Sequence, residues 1–450
     1  MAETPGLSNR ILVAYGLPGL PLAVLGLPLF IYLPTFYAET VGIELATIGL
    51  ALLIARLWDM VTDPVIGVLS DRTRSRFGRR RPWMVGALPL LCLSIWFLFV
   101  PPAGAGVGHL LIWSIALYLA WTMFQLTHAA WGAELSSDYH QRSRITGTRE
   151  ALVIVGTLLA AAAPVLLAGK DGQEAGLAAV LRAVAIGLII GLPLASLLAA
   201  ALVPDPPVAA PPSFIASRAR AWRERMVEGT RAMKENRAFA RLILAYLLNG
   251  IANGLPATLF LLFVGHVLVL PDKAGALLFI YFACAILGIP LWVWLSGRLD
   301  KHRAWLIAMA GNCLIFAWAP FLAAGDYMPF LAICVLSGLC LGADLALPPS
   351  MQADVVDLDR AGEAEGGGGP RTGLYFALWG MATKLALALA VGITFPALDL
   401  AGFDASDGAV NDEDRLLVLA LLYGALPIVF KIAAMILMAR FGRYVPARPR

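Results

Sequence analysis

The chain consists largely of apolar runs of helical length, separated by short stretches of glycine, proline and charged residues. A membrane-spanning α-helix needs roughly 18 or more mainly apolar residues, whereas a barrel strand needs about ten residues of alternating polarity. The runs are of the longer kind. Hydrophobic residues make up 60% of the chain and charged residues 14%, against about 45–50% and 25% in soluble domains. The sequence therefore predicts an all-α integral membrane protein.

Twelve of these runs have the length and composition of membrane spans. They lie near residues 10–38, 46–70, 83–101, 108–133, 145–169, 177–203, 237–265, 274–297, 304–324, 328–353, 371–399 and 413–440. Prolines 18, 21, 28 and 34 are expected to kink the first. Lysine and arginine concentrate at the termini and in every second loop, so both termini are predicted to be cytoplasmic in an inner (plasma) membrane. The polar start of the chain has no pattern of a cleaved signal.

The two halves of the chain resemble each other at corresponding loops. The segment "GVLSDRTRSRFGRRRPW" after the second predicted helix has a shorter counterpart, "VWLSGRLDKHRAW", after the eighth. Such an internal repeat is typical of transporters built from two pseudo-symmetric six-helix bundles. We therefore expect an N-terminal bundle over 1–203, a proline-rich and basic cytoplasmic linker over 204–236, and a C-terminal bundle over 237–450. The glycine-rich loop 361–370 is predicted to be a flexible spacer.

Two carboxylates interrupt the second predicted helix. Asp59 and Asp63 are four residues apart and share one helix face. Each buried carboxylate costs roughly 2.5–3.5 kcal/mol on insertion scales, and two at close range require a proton or a cation between them. Thr62 can add a hydroxyl, while Arg56 can neutralise only one of the acids. The pattern predicts a site for a coupling cation, sodium or a proton, and the alternative is a structural ion network around Arg56.

Lys384 lies deep in the eleventh predicted helix, about 20 Å along the helix from Arg371 at 1.5 Å per residue. An ammonium group at this depth is expected to face the acids or a watery cavity. Pairing with the acids while the cation is absent would couple cation binding to conformation. The alternative is a lysine that extends towards the membrane interface.

Polar and aromatic residues suited to a sugar or another amphiphilic ligand gather in the fourth predicted helix. These candidate substrate-binding residues are Trp121, Gln125, Thr127, His128 and Trp131. Further candidates on other helices are Arg149, Asn249, Asn253 and Asp344. His128 is also a possible proton carrier. For each of these residues, ordinary packing or hydrogen bonding within the bundle is the alternative.

The arginine-rich loop after the second helix is predicted to act in gating rather than in substrate binding. Asp71, Arg72 and Arg79 can hold this loop or a neighbouring helix end in one of two states. The sequence contains no phosphate-binding loop, zinc-ligand spacing or nucleophile motif, so no enzyme activity, cofactor, metal centre or nucleic-acid partner is predicted. The five cysteines all lie in apolar runs and are interpreted as small hydrophobic residues.

Several of these segments resemble the glycoside–pentoside–hexuronide:cation symporters, a melibiose-permease-like branch of the major facilitator superfamily. They are "WDMVTDPVIGVLSDRTRSRFGRRRPW", "YLPTFYAETVG", "WGAEL", "QADVVD" and "YFALWGMATK". The resemblance implies alternating access, a coupling cation at Asp59 and Asp63, and Lys384 near that cation. It also implies that Arg149 lies near the substrate.

Two positions depart from that family's pattern. The acids that bind sugar on the first and fourth helices of melibiose permease align with Ala23 and Thr127 here, which argues against a galactoside. The polar cation-site position of the fourth helix aligns with Phe124, which argues against sodium and leaves a proton open.

The sequence thus predicts a cation-coupled symporter of a sugar or glycoside. The alternatives are a transporter of a lysophospholipid or other amphiphile, an exporter of the same fold, and a membrane receptor or scaffold, which the buried charges oppose. The expected partners are a small-molecule substrate, a monovalent cation and the lipid bilayer.

Overall fold

The computed structural model describes residues 7–73, 75–136, 139–167, 176–204, 236–366, 372–406 and 408–443. These residues contain twelve helices that are long and apolar enough to cross a membrane, which confirms the predicted fold class. In chain order they are α1 (Asn9–Glu39), α2 (Leu45–Arg72), α3 (Arg81–Phe99), α4 (Val107–Glu134), α5 (Tyr139–Leu166), α6 (Leu177–Leu202), α7 (Arg237–Val267), α8 (Ala274–Leu299), α9 (Lys301–Phe316), α10 (Tyr327–Gly366), α11 (Thr372–Leu400) and α12 (Glu413–Ala439).

The helix α1 is broken into shorter pieces near its prolines, as the sequence predicts. It consists of the α-helical pieces Asn9–Gly16, Gly19–Leu27 and Leu33–Glu39, with a π-helical turn at Pro28–Tyr32. The four prolines fall at or near the starts of these pieces, where backbone N–H groups have no intrahelical acceptor, so a missing N–H costs little. A further π turn, Leu421–Ala425, interrupts α12, and another, Phe263–Val267, ends α7.

One loop prediction is wrong. The helix α10 continues to Gly366, well beyond its predicted end near residue 353, and so includes the first residues of the predicted spacer. The segment "DLDRAGEAE" contains two alanines, two glutamates, a leucine and an arginine, which favour a helix even in a polar stretch. The rest of that spacer and nearly all of the predicted linker 204–236 lie outside the described residues. At the end of that linker, Asn236 caps α7 by accepting a hydrogen bond from the Phe239 N–H at 2.9 Å.

The described chain divides into two compact units. One contains α1 to α6 together with Asp272–Phe279 and Asp404–Val410, and the other contains the remaining spans. Within the first unit, α1 packs against α5 and α6, while α3 packs against α4 and α6. Within the second, α7 packs against α11 and α12, while α9 packs against α10 and α12. The same pairings therefore recur six helices later, as a repeat of one six-helix unit predicts.

The helices α8 and α10 approach each other at their backbones. A Cβ atom on Gly288 would collide with the Leu339 carbonyl group, and one on Gly342 would collide with that of Ala285. Next to Gly288, the Trp292 indole donates to the Leu339 carbonyl oxygen at 2.7 Å. Small residues at such a crossing allow the close van der Waals packing that holds helices together in lipid.

Replacing Gly342 by alanine is expected to destabilise the second unit, because the added methyl group must displace backbone atoms of α8. Overpacking of this kind costs about 1–3 kcal/mol. The measurement is the melting temperature of the purified protein. The matched control is Gly191→Ala in α6, where an added Cβ meets no described atom within 4 Å. Equal melting temperatures for the two variants would contradict the interpretation of Gly342 as a contact residue.

Candidate functional site

The paired carboxylates of α2 meet a hydroxyl group on α4. Oγ1 of Thr122 lies 2.8 Å from Oδ1 of Asp59 and 2.8 Å from Oδ1 of Asp63. Thr122 and Asp59 are both buried. A hydroxyl group has one proton and can donate to only one of these oxygens. The second close oxygen–oxygen contact therefore needs a proton on one carboxyl group or a cation among the three oxygens.

Arg56 extends the cluster of Asp59, Asp63 and Thr122 towards α1. Its Nη1 lies 3.5 Å from Oδ2 of Asp59, and its guanidinium group lies between the rings of Phe30 and Tyr118, at 4.4 and 4.3 Å from their centroids. Phe30 belongs to the π turn of α1, and Tyr118 precedes Thr122 by one turn of α4. Three helices of the first unit thus position one guanidinium group beside the acids.

The residue of α4 that contacts the two acids is not the residue that the sequence alignment places there. The aligned residue Phe124 is fully buried, with its ring 6.0 Å from that of His128, and the α4 side chain that contacts both acids is Thr122. The predicted ligand Thr62 donates its hydroxyl to the main-chain oxygen of Asp59 at 3.0 Å, so its proton is directed at its own helix. Tyr118 and Thr122 are four residues apart and therefore share one face of α4. This spacing could have indicated the face that contacts Arg56 and the acids.

The other candidates on α4 are divided between two surroundings. Trp121 is half-buried, and its indole N–H donates to the side-chain oxygen of the exposed Gln125. The Trp121 ring lies 6.3 Å from that of Phe30, which places both residues near Arg56. By contrast, the fully buried Thr127 donates its hydroxyl to the Met123 carbonyl oxygen of its own helix at 2.6 Å.

His128 and Trp131 join α4 to α1 through Tyr15. Nε2 of His128 is hydrogen-bonded to the Tyr15 carbonyl oxygen at 2.7 Å, and the Tyr15 hydroxyl donates to the His128 carbonyl oxygen at 3.1 Å. The two rings stack at 4.6 Å, and the Trp131 ring meets Tyr15 edge-on at 6.2 Å. These contacts give both residues a structural role, while their predicted contact with substrate stays a prediction.

Arg149 is half-buried about three turns into α5, which begins at Tyr139. Its guanidinium group forms an ion pair with the adjacent Glu150 at 2.6 Å, and its side chain passes Gly19 of α1. The predicted contact of Arg149 with the substrate stays a prediction.

The second unit contains a buried polar network that the sequence indicated only in part. Nζ of Lys431 on α12 donates to the side-chain oxygens of Asn249 and Asn253 on α7, at 2.8 Å each. Asp344 on α10 accepts from the Asn253 amide at 2.8 Å and from the Trp305 indole at 2.6 Å. Nζ of Lys431 lies 3.6 Å from Oδ2 of Asp344. Four helices are thereby joined through one buried ion pair.

The sequence prediction named Asn249, Asn253 and Asp344 as separate candidates, and the structure brings them together. Lys431 was missed as a member, although a lysine within an apolar run was a signal. Lys384 is half-buried on α11 in this unit, while Asp59 and Asp63 belong to the other. Its predicted pairing with those acids stays a prediction.

The arginine-rich loop is tied to α4. Arg79 and Arg80 approach Oε1 of Glu134 at 2.5 and 2.8 Å through their Nη2 atoms, at the end of α4 that lies next to this loop. Asp71 and Arg72 belong to the last turn of α2, and their side chains lie outside the described part of the structure. The gating role of Asp71, Arg72 and Arg79 stays a prediction.

A corresponding ion pair occurs in the second unit. Lys301, which follows α8, forms an ion pair with Asp354 of α10 at 2.5 Å. The arrangement repeats the pairing of Arg80, which follows α2, with Glu134 of α4. In both units, therefore, a basic residue at or next to the start of the third helix forms an ion pair with an acid of the fourth helix.

The fold, the repeated packing and the buried charges are those of a membrane transporter rather than an enzyme. The family model described as MFS/sugar transport protein matches residues 14–442. The chain belongs to this family of the major facilitator superfamily.

Relatives similar over nearly the whole chain transport lipids by name. The sphingosine-1-phosphate transporter MFSD2B of Mus musculus is 28% identical over 439 residues, which cover 92% of this chain and 85% of the relative. The sodium-dependent lysophosphatidylcholine symporter 1 of Mus musculus is 23% identical over 452 residues, which cover 94% of this chain and 84% of the relative.

Solved structures of other transporters share the fold. A variant of the nucleoside transporter NupG matches with a TM-score of 0.67 and 14% identity, over 95% of this chain and 100% of that transporter. A bacterial homologue of the human lysosomal transporter Spinster matches with a TM-score of 0.67 and 14% identity, over 97% of this chain and 98% of its own. At this identity the likeness concerns the fold alone.

The Lys431–Asp344 pair is expected to behave as a structural network. Replacing Lys431 by methionine leaves Asp344 buried without its ion-pair partner, and breaking a buried pair typically costs about 3–5 kcal/mol. Adding Asp344→Asn to Lys431→Met is expected to restore part of that loss, because no uncompensated charge remains. Melting temperatures of the two single variants and the double variant measure the coupling. Additive losses would contradict an interaction between the two residues.

Proposed function

We propose that this protein is a cation-coupled transporter of a single-chain amphiphile such as a lysophospholipid, with the coupling cation at Asp59, Asp63 and Thr122. The observation that carries the cation site is the sharing of the Thr122 hydroxyl group by two carboxylate oxygens at 2.8 Å each. A hydroxyl and two carboxylates form a set of hard oxygen ligands, and sodium is a hard cation that binds to oxygen. This set supports sodium.

The electrostatics of the pair explain why a cation is required. The two carboxylate oxygens each lie 2.8 Å from one hydroxyl oxygen, so they are no more than twice that distance apart. Two like charges at this separation repel by about 3 kcal/mol at an effective dielectric constant of about 20. A cation among them removes this repulsion and joins α2 to α4. Cation binding can therefore change the packing of the first unit.

The substrate class depends on different observations. Sugar was the leading prediction from the sequence, but the sugar-binding acids are replaced by Ala23 and by Thr127, whose hydroxyl bonds its own helix. Two relatives that cover nearly the whole chain are named for sphingosine 1-phosphate and lysophosphatidylcholine. Both observations support the amphiphile, which was the alternative.

The proposed cycle uses the charged residues outside the cation site as well. Cation binding releases Lys384 from the acids and permits the switch between outward and inward access, while Arg149 contacts the substrate. The arginine-rich loop, with Asp71, Arg72 and Arg79, changes its attachment to the helix ends during the switch. The protein lies in the plasma membrane with both termini in the cytoplasm, as the lysine and arginine distribution predicts.

Removing any oxygen of the site is expected to abolish cation-dependent uptake. Asp59→Asn, Asp63→Asn and Thr122→Val each remove one ligand or its charge, whereas Thr122→Ser retains the hydroxyl and is expected to retain coupling. Uptake into proteoliposomes, measured with and without a sodium gradient at two pH values, gives the result. Stimulation by low pH without any effect of sodium would identify a proton as the coupling ion.

The matched control for Thr122→Val is Thr394→Val in α11. Thr394 is fully buried and donates its hydroxyl to the Ala390 carbonyl oxygen of its own helix at 2.9 Å. The control is expected to keep cation-dependent uptake. Normal coupling in both aspartate variants would refute the cation site.

Lysolipids rather than sugars are expected to stabilise the purified protein against heat. A ligand that binds only the folded state raises the melting temperature, and the increase grows with the ratio of the ligand concentration to its dissociation constant. The panel contains an oleoyl lysophospholipid, melibiose and other glycosides, each tested with and without sodium. A sugar that stabilises more strongly in sodium, with no effect of lysolipid, would establish the sugar symporter instead.

A further inference from the structure

A small cavity lies among helices α7, α8, α9 and α12 of the second unit, next to the buried polar network of Lys431. Its polar lining comes from Asn253, Tyr281, Asn312 and Lys431, and the rest of its wall is apolar apart from one cysteine. The volume open to the centre of a water molecule is about 10 Å³. A single bound water needs about this much space.

Asn312 on α9 is a lining residue with an unmet hydrogen-bonding group. Its Oδ1 meets no protein donor among the described residues, and the whole residue is only 6% exposed. A buried amide oxygen without a donor is costly in the bilayer core, where lipid supplies none. An amide turned the other way would present its N–H group instead, and water can serve either group because it both donates and accepts.

Lys431 supplies the polar group on the other side of the cavity. Its ammonium group has three N–H donors, and those directed at Asn249 and Asn253 form hydrogen bonds of 2.8 Å each. The distance from Nζ to Oδ2 of Asp344 is 3.6 Å, longer than the roughly 2.7–2.9 Å of a charge-assisted hydrogen bond. The third N–H group can therefore donate to an acceptor in the cavity while the ion pair stays in place.

We propose that the cavity binds one water molecule, which donates a hydrogen bond to Oδ1 of Asn312 and accepts one from Nζ of Lys431. The site belongs to the second unit and does not depend on the identity of the substrate or of the coupling cation. A bound ion does not suit it, because Lys431 and Asp344 already balance each other and a further charge would have no partner. An apolar molecule would leave Asn312 unpaired. A neutral group that both donates and accepts is required, and the volume is that of water.

The water attaches α9 to the ion pair at a second level. Trp305 and Asn312 are seven residues apart, which is about two helical turns, so they share one face of α9 and lie about 10 Å apart along it. Trp305 donates its indole N–H to Asp344 at 2.6 Å. Asn312 reaches Lys431 through the water. Buried waters of this kind are part of a structure and are costly to remove.

The direct test is a density map of the full-length protein at a resolution that shows ordered water. A peak is expected in the cavity within about 2.7–3.2 Å of both Oδ1 of Asn312 and Nζ of Lys431. A map that shows ordered water elsewhere in the protein interior, but none between these two atoms, would overturn the proposal.

Asn312→Leu gives a second test, because leucine has the branched shape of asparagine without its polar atoms. Loss of the water and its hydrogen bond is expected to lower the melting temperature by about 2–4 °C. In a dry cavity the same change would remove an unpaired amide and raise the melting temperature. A rise would therefore refute the bound water.

The matched control is Ser114→Ala in α4. Ser114 is fully buried, and its hydroxyl also meets no protein partner among the described residues, but it does not line this cavity. Its replacement is not expected to lower the melting temperature. Equal shifts for Ser114→Ala and Asn312→Leu would mean that Asn312 gains nothing from the cavity, which contradicts the proposal.

A double-mutant cycle tests whether one water joins Asn312 to Lys431. The melting temperatures of Asn312→Leu, Lys431→Met and the double variant are compared with that of the wild type. The loss in the double variant is expected to be smaller than the sum of the single losses, because either change alone removes the shared water. Additive losses would count against the bridge, and the density map decides the question if Lys431→Met does not fold.

Discussion

The interaction on which the site depends is the shared contact of two carboxylates with one hydroxyl group on α4. In lipid, a charge without a partner is costly, and conformations that leave charges exposed are excluded. The chain places its acids on α2 so that α4 must lie against them, and it places Arg56 so that α1 must cover it. The packing of α1, α2 and α4 in the first unit is therefore linked to the state of the acids. A cation-binding reaction can act on helix packing only through such a link.

The second unit satisfies its buried charge differently. Lys431, Asp344, Asn249, Asn253 and Trp305 form a network in which the lysine and the carboxylate have partners from the protein itself. Such a network has little to gain from a ligand and much to lose from rearrangement. It suits a unit that stays rigid. The close backbone contact of α8 and α10 at Gly288 and Gly342 supports the same conclusion.

The parts that could be predicted from the sequence are those encoded locally. Span lengths follow from hydropathy, and the common face of Asp59 and Asp63 follows from helical period. The contact of Thr122 on α4 with the acids was not predicted, because it depends on the rotation of one helix against another. Residues 122 and 124 are two positions apart, or roughly 200° around a helix with 3.6 residues per turn, so a small alignment shift exchanges a hydroxyl for a phenyl ring. Lys431 was missed for a similar reason, since its acceptors come from a helix far away in sequence.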